Sequence, residues 1–158
     1  MIFITLGSQK FPMDRLLIEV DRLVEIGGIN EEVFAQTGYC QYKPSHYESC
    51  QFLGRVEFDD TIERCDLLIT HGGSGAIMSG LKQQKRVIAV PRLKAFGEHV
   101  DDHQKELVGV LAEKGYLIMV EDVSKLPGSI EQAKASHFKV YESSTDRVVR
   151  IIRDFIDE

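Results

Sequence analysis

The sequence carries no excess of positive charge: 19 lysines and arginines stand against 25 aspartates and glutamates, a net charge of −6. Non-specific nucleic-acid binding rests on neutralising phosphates, and no basic cluster or basic–aromatic stripe supplies this locally, so nucleic acid is not an expected partner. No apolar run approaches the roughly 18 residues that span a bilayer. No charged-then-apolar leader opens the chain either, and Met1 runs directly into a strand. The expected location is cytoplasmic, with any membrane contact made through a partner. Cys40, Cys50 and Cys65 form no C-x-x-C pair and read as reduced thiols, not as a zinc cluster or a catalytic nucleophile. Repeats and low-complexity tracts are missing as well. What remains is 158 residues of ordinary globular composition, 43% hydrophobic and 28% charged, enough for one domain spanning 1–158.

The most informative stretch is Leu67, Leu68, Ile69, Thr70, His71, Gly72, Gly73, Ser74 and Gly75. A short apolar run reads as a buried parallel strand, covered on both faces. Glycines follow that let the backbone approach a ligand, then a helical pattern in Ile77, Met78 and Leu81. Ser74 is placed to cap that helix, whose exposed N–H groups and positive dipole end favour a phosphate. The P-loop spelling requires Lys followed by Ser or Thr, which this turn lacks. The dinucleotide spelling fails too, because Met78 stands where its third glycine belongs. Neither an NTPase nor a nicotinamide enzyme is favoured.

Apolar segments at Met1–Leu6, Val33–Gln36, Gln51–Leu53, Leu67 onward, Val87–Val90 and Tyr116–Val120 read as strands. Helical spacing is seen in Leu16, Leu17, Val20, Leu23 and Val24 after Pro12, and in Val100, Leu107, Val108 and Leu111 before Gly115. Asp60, Thr61, Ile62 and Glu63 resemble a capping box on a short helix. Residues 122 to 142 are weakly patterned. A last helix, introduced by Ser144, Thr145 and Asp146, carries Val148, Val149, Ile151, Ile152, Phe155 and Ile156. Strands alternating with helices predict an α/β fold: a Rossmann-like parallel sheet with helices on both faces. Right-handed crossovers then gather the post-strand loops at one edge, where ligands bind. Those loops are Gly7, Ser8 and Gln9; Gln36, Thr37 and Gly38; His71 to Gly75; and Pro91 and Arg92.

Residues 91 to 104 form a second dense segment. Arg92 and Lys94 are of the type that faces phosphates, and Arg does so with two parallel hydrogen bonds. Asp102 and Gln104 are of the type that fixes sugar hydroxyls. His99 and His103, four apart, can share a helix face as metal ligands, although no clear third ligand accompanies them and the order His-Glu-x-x-His is absent. A solvated polar helix start explains the same residues.

Thr5, Leu6, Gly7, Ser8 and Gln9, followed by Phe11, Pro12, Met13, Asp14, Arg15 and Leu16, resemble the N-terminal signature of one glycosyltransferase group. So do His71 to Gly75, and the run Glu98, His99, Val100, Asp101, Asp102, His103 and Gln104. The group is the nucleotide-sugar-binding subunit of two-component bacterial exopolysaccharide and capsule transferases. It is similar to the C-terminal half of glycosyltransferase family 28 and to the catalytic subunit of the eukaryotic dolichol-linked N-acetylglucosamine transferase.

The resemblance implies the donor half of a GT-B enzyme divided between two polypeptides, this one binding a UDP-sugar. A membrane-associated partner would bind the acceptor, a polyprenyl-diphosphate-linked sugar, and recruit the pair to the inner face of the plasma membrane. The length agrees, since a complete enzyme of this class needs about twice as many residues. Gly73, Ser74 and Gly75 match positions near the diphosphate, and Asp102 and Gln104 positions near the sugar. Where relatives carry a ribose-gripping glutamate, this chain has Ser79. The candidate substrate-binding set is therefore Gly7, Ser8, Gln9, Thr37, His71, Gly72, Gly73, Ser74, Gly75, Ser79, Arg92, Glu98, His99, Asp102, His103 and Gln104. The expected reaction is inverting hexosyl transfer, with no cofactor and no metal. The base is expected on the partner, with His71 and His99 as local candidates. The 98–104 run looks closest to capsule galactosyltransferases, which favours galactose over glucose, glucuronic acid or N-acetylglucosamine. A non-catalytic nucleotide-sugar-binding regulatory subunit and a UDP-sugar 2-epimerase-like enzyme are the alternatives. The stripe on the last helix serves either to dock the partner or to pack on its own domain.

Overall fold

The computed structural model describes residues 1–8, 10–99, 101–140 and 147–156. Six short, largely apolar segments become strands: β1 (Ile2–Thr5), β2 (Val33–Gln36), β3 (Glu48–Cys50), β4 (Leu67–His71), β5 (Arg86–Val90) and β6 (Ile118–Met119). All pair in parallel, in the order β3-β2-β1-β4-β5-β6. This is the doubly wound arrangement, whose order reverses between β1 and β4. The helices are α1 (Asp14–Glu25), α2 (Arg55–Arg64), α3 (Ser74–Lys82), α4 (His103–Glu113), α5 (Leu126–Ala135) and α6 (Arg147–Ile156).

Successive residues of a strand face opposite sides of the sheet, so each strand feeds two core layers. Ile2 and Ile4 join Leu16, Leu17 and Val20 of α1 and Leu126 and Ile130 of α5. Phe3 joins Ile62 of α2, Ile77 and Leu81 of α3, Leu107 and Leu111 of α4, and Val148 and Ile152 of α6. Helices thus cover both faces, as the alternation in the sequence predicts. Among the described residues, no helix is long and apolar enough to cross a membrane. The three cysteines are unpaired, and burial pushes the Cys40 thiol up to about 11.

Several local expectations are corrected. The third strand is Glu48–Cys50, in register with Phe34–Gln36, so Phe52 and Leu53 fall in the loop beyond it. The helix expected to start at Asp60 starts five residues earlier, and its cap is Gly54, whose N–H donates to Glu57 Oε2 at 2.8 Å. Thr61 lies inside that helix, with its hydroxyl donating to Glu57 O at 2.7 Å. α1 begins at Asp14, after Pro12. The weakly patterned segment holds α5, introduced by Pro127 in its first turn.

α6 uses its stripe on its own domain. Val148 and Ile152 are buried, and Ile151 and Phe155 pack partly against the same layer. His103 Nε2 donates to Phe155 O at 3.0 Å, and the two rings sit 5.2 Å apart. Ser144, Thr145 and Asp146 and the side chain of Ile156 fall outside the described residues. Burying two aliphatic side chains contributes about 1.5–3 kcal/mol each, so this docking is part of the fold. Ile152→Ala should lower the unfolding free energy by about 2–4 kcal/mol in urea titration. Ile18→Ala, at a site 47% exposed, should change it by less than about 0.5 kcal/mol.

Candidate functional site

At the β1/β4 reversal the connections leave in opposite directions, to α1 on one face and α3 on the other. The gap between them opens as a cleft of about 940 Å³. Thr5 and Gln36, at strand ends, lie in it, with Thr5 Oγ1 donating to Gln36 Oε1 at 3.1 Å. The β1 loop contributes Gly7 and Ser8, and β4 contributes His71. The near face of α3 contributes Ser74, Gly75, Met78, Ser79 and Lys82.

Gly73, not Ser74, is the N-cap of α3, and no side chain caps that end. The first intrahelical bond is from Ile77 N–H to Gly73 O at 3.2 Å. The earlier N–H groups, of Ser74, Gly75 and Ala76, have no intrahelical acceptor, and all three residues line the cleft. The positive end of a nine-residue helix therefore opens into it, the arrangement that binds anions.

His71 is held between two backbones. A Cβ on Gly7, which has φ +70°, would sit 2.5 Å from His71 Nε2, and one on Gly73 would sit 2.1 Å from Cε1. Only glycine admits the ring at both places. Gly73 N–H donates to His71 Nδ1 at 3.0 Å, so in the neutral ring the hydrogen is on Nε2. Burial, reinforced by the Arg92 charge, pulls the imidazole down to about 3. A neutral ring with hydrogen on Nε2 donates and does not abstract, which corrects the expectation of His71 as a local base.

The 91–104 segment turns its polar chemistry inward. Arg92 is 1% exposed and donates to the main-chain oxygens of Leu6 and Phe11. It lies outside the cleft lining, and two charge-assisted bonds of about 1.5–3 kcal/mol each offset part of its desolvation, its buried Nε having no hydrogen-bond partner among the described residues. Lys94 is likewise outside the cleft lining, its N–H donating to Asp102 Oδ1 at 2.9 Å. Glu98 is buried, pairs with Arg15 (2.8 and 3.1 Å) and accepts the Leu93 N–H at 3.1 Å. Gln104 Oε1 accepts from Gly72 N–H at 3.1 Å and Arg92 N–H at 3.0 Å, so its carbonyl is committed to the backbone. Gly72 packs against Gln104, outside the cleft lining. Thr37 donates to Cys50 O.

His99 precedes α4 and His103 begins it, so the two do not share a helix face. His99 Nδ1 lies 3.2 Å from Asp101, while His103 anchors α6. Among the described residues no three His, Cys, Asp or Glu side chains gather as metal ligands. Gln9 lies outside the described residues.

From the candidate set, the structure brings Gly7, Ser8, His71, Gly73, Ser74, Gly75 and Ser79 together around one cleft. Ser79 donates its hydroxyl to Gly75 O at 3.0 Å. The sequence reading missed Phe52, Leu53, Arg55, Phe58 and Asp59 from the β3–α2 side, and Lys82 and Gln83 at the end of α3. The signal was present: once β3 ends at Cys50, the Phe52–Gly54 stretch becomes a post-strand loop leading into α2. The cations bordering the cleft are Arg55, which pairs with Asp59 at 3.3 Å, and Lys82.

The model of the glycosyltransferase family 28 C-terminal domain matches residues 1–158. Two similar curated relatives are each named UDP-N-acetylglucosamine transferase subunit ALG13. One, from Cryptococcus neoformans var. neoformans serotype D (strain JEC21 / ATCC MYA-565), is 28% identical over 102 residues, covering 62% of this chain and 49% of the relative. The other, from Yarrowia lipolytica, is 24% identical over 139 residues, covering 85% and 64%. The chain thus spans about half to two thirds of their lengths. The solution structure of ALG13 superposes with a TM-score of 0.63 at 15% identity, covering 99% of this chain and 94% of that one. CalG4, the calicheamicin glycosyltransferase, gives 0.61 at 15% identity, covering 99% of this chain and 38% of the larger protein. The fold is therefore that of GT-B C-terminal domains. With a family match running its whole length, the chain belongs to the glycosyltransferase family 28 C-terminal domain family.

Proposed function

We propose that this chain is the donor-binding component of a UDP-hexose-dependent glycosyltransferase. The observation that carries the reading is the open N-terminus of α3, set in a cleft at the sheet's topological switch point. The diphosphate sits on the N–H groups of Ser74, Gly75 and Ala76, with His71 Nε2–H beside it. The nucleoside extends along α3 past Met78 and Ser79 toward Phe52, Leu53 and Arg55. Ser79 replaces a carboxylate and already bonds Gly75 O, so ribose recognition leans less on a charged contact than phosphate recognition does.

In inverting transfer the acceptor oxygen attacks the anomeric carbon as the bond to the diphosphate breaks, and negative charge grows on the leaving group. Backbone amides fixed in advance stabilise that charge without reorganising. The acceptor's proton goes to a base. His71 does not take it, and the cleft carboxylate Asp59 is paired with Arg55, so we assign the base and the acceptor site to a membrane-associated partner subunit. A polyprenyl-diphosphate-linked sugar in exopolysaccharide or capsule synthesis is the acceptor we favour, with recruitment to the inner membrane face through the partner. The word "subunit" in the relatives' names supports the two-chain reading. The galactose expectation rests on the 98–104 run, whose Glu98 and Gln104 face backbone atoms instead. The relatives' names point to UDP-N-acetylglucosamine, so that donor heads the comparison with UDP-galactose.

Titration calorimetry should show UDP binding more tightly than uridine. Gly75 has open space around it, so Gly75→Asp should fold normally. Its carboxylate should repel the diphosphate, weakening UDP about tenfold or more and leaving uridine unchanged. Equal affinity for UDP and uridine in the unmodified chain would end the reading.

Transfer from the preferred UDP-sugar should need the partner. Full turnover by the purified chain alone would remove the partner from the mechanism.

His71 also leaves a mark on stability. Its folded value of about 3 lies below the unfolded value of 6.5. Its contribution is complete above 6.5 and is lost as pH falls toward 3. Urea midpoints should decline over that window, and His71→Asn should show a shallower decline.

A further inference from the structure

Arg92 has no contact with the cleft, yet its guanidinium is fully buried, where an unmatched cation is costly. Its two acceptors are not scattered: Leu6 O and Phe11 O flank the loop that leaves β1. A planar fork fixes both flanks at once, which a lysine ammonium on a flexible stem cannot reproduce. The Leu6–Gly7 peptide couples this to the cleft. Its oxygen accepts from Arg92, and its N–H, on the cleft residue Gly7, donates to Thr5 Oγ1 at 3.5 Å. A cation on a carbonyl oxygen polarises the whole peptide unit, so Arg92 strengthens the Gly7–Thr5 bond that shapes the loop beside the cleft. The backbone of Arg92 is tied as well, since Gln104 Oε1 takes both its N–H and that of Gly72. The β1, β4 and β5 loops are thereby joined through one side chain and its neighbour.

We propose that Arg92 is a positioning residue for the donor's diphosphate: by holding both flanks of the β1 loop it fixes the Leu6–Gly7 turn at the rim of the cleft, acting on the ligand without touching it. The inference rests on the nucleotide reading above and goes beyond it, because it assigns binding energy to a cation outside the site.

Arg92→Lys and Arg92→Gln are compared with the unmodified chain by calorimetry against UDP and uridine, with thermal melts as a check on folding. Arg92→Lys keeps the charge but reaches one carbonyl. It should melt cooperatively, bind UDP about tenfold more weakly and bind uridine as before; Arg92→Gln should lose at least as much UDP affinity. If both variants retain the full preference for UDP, the proposal is overturned while the nucleotide reading stands. If they weaken UDP and uridine alike, or no longer melt cooperatively, Arg92 serves the fold alone and the proposal is overturned. If the unmodified chain shows no preference for UDP, the nucleotide reading falls and this proposal with it. Gly75→Asp in the same series separates the cases, since its loss of UDP binding depends on the helix end and not on Arg92.

Discussion

β1 is paired on both edges, with β2 on one side and β4 on the other. The chain reaches these neighbours by crossovers of one hand, so the connections after β1 and β4 must pass over opposite faces. Two loops side by side at the sheet edge are thereby pulled apart, and the space between them cannot be closed by either. The helix that starts beside that space points its unbonded amides into it. The cleft results from strand order, and the side chains that refine it come second.

This explains why so much polar chemistry near the site is structural. Loops at the carboxyl ends of parallel strands carry main-chain groups that the sheet no longer pairs, and buried ones need partners. Glu98, Gln104 and Arg92 supply them: Glu98 bonds the backbone of its own loop, while Gln104 and Arg92 reach backbone atoms of segments far apart in sequence. The Arg15–Glu98 pair makes the point most directly. It joins two segments on which the family resemblance rests, one near the N-terminus and one after β5. Their joint presence reflects a contact between them.

The legible parts of the sequence were those governed by local patterning. β2 at Val33–Gln36 and the strand–glycine–helix unit from Leu67 were read directly, because apolar runs and glycine turns carry their meaning within a few residues. β3 was misplaced because Glu48, Ser49 and Cys50 have no strand pattern of their own and are strands only by pairing with β2. That shift hid the Phe52–Asp59 wall of the cleft. Arg92 and Gln104 were read as ligand-binding from residue type, but type does not report direction. Which way a buried arginine points depends on carbonyls more than eighty residues away.

The imidazole between Gly7 and Gly73 is also a spacer. Its thickness sets how closely the two turns approach, so truncating it to alanine would let them sag together as well as removing a donor. Any lost affinity measured that way would mix collapse with chemistry. A flat amide of similar bulk separates the two more cleanly, which makes the size of residue 71 as much a property of the site as its nitrogen atoms.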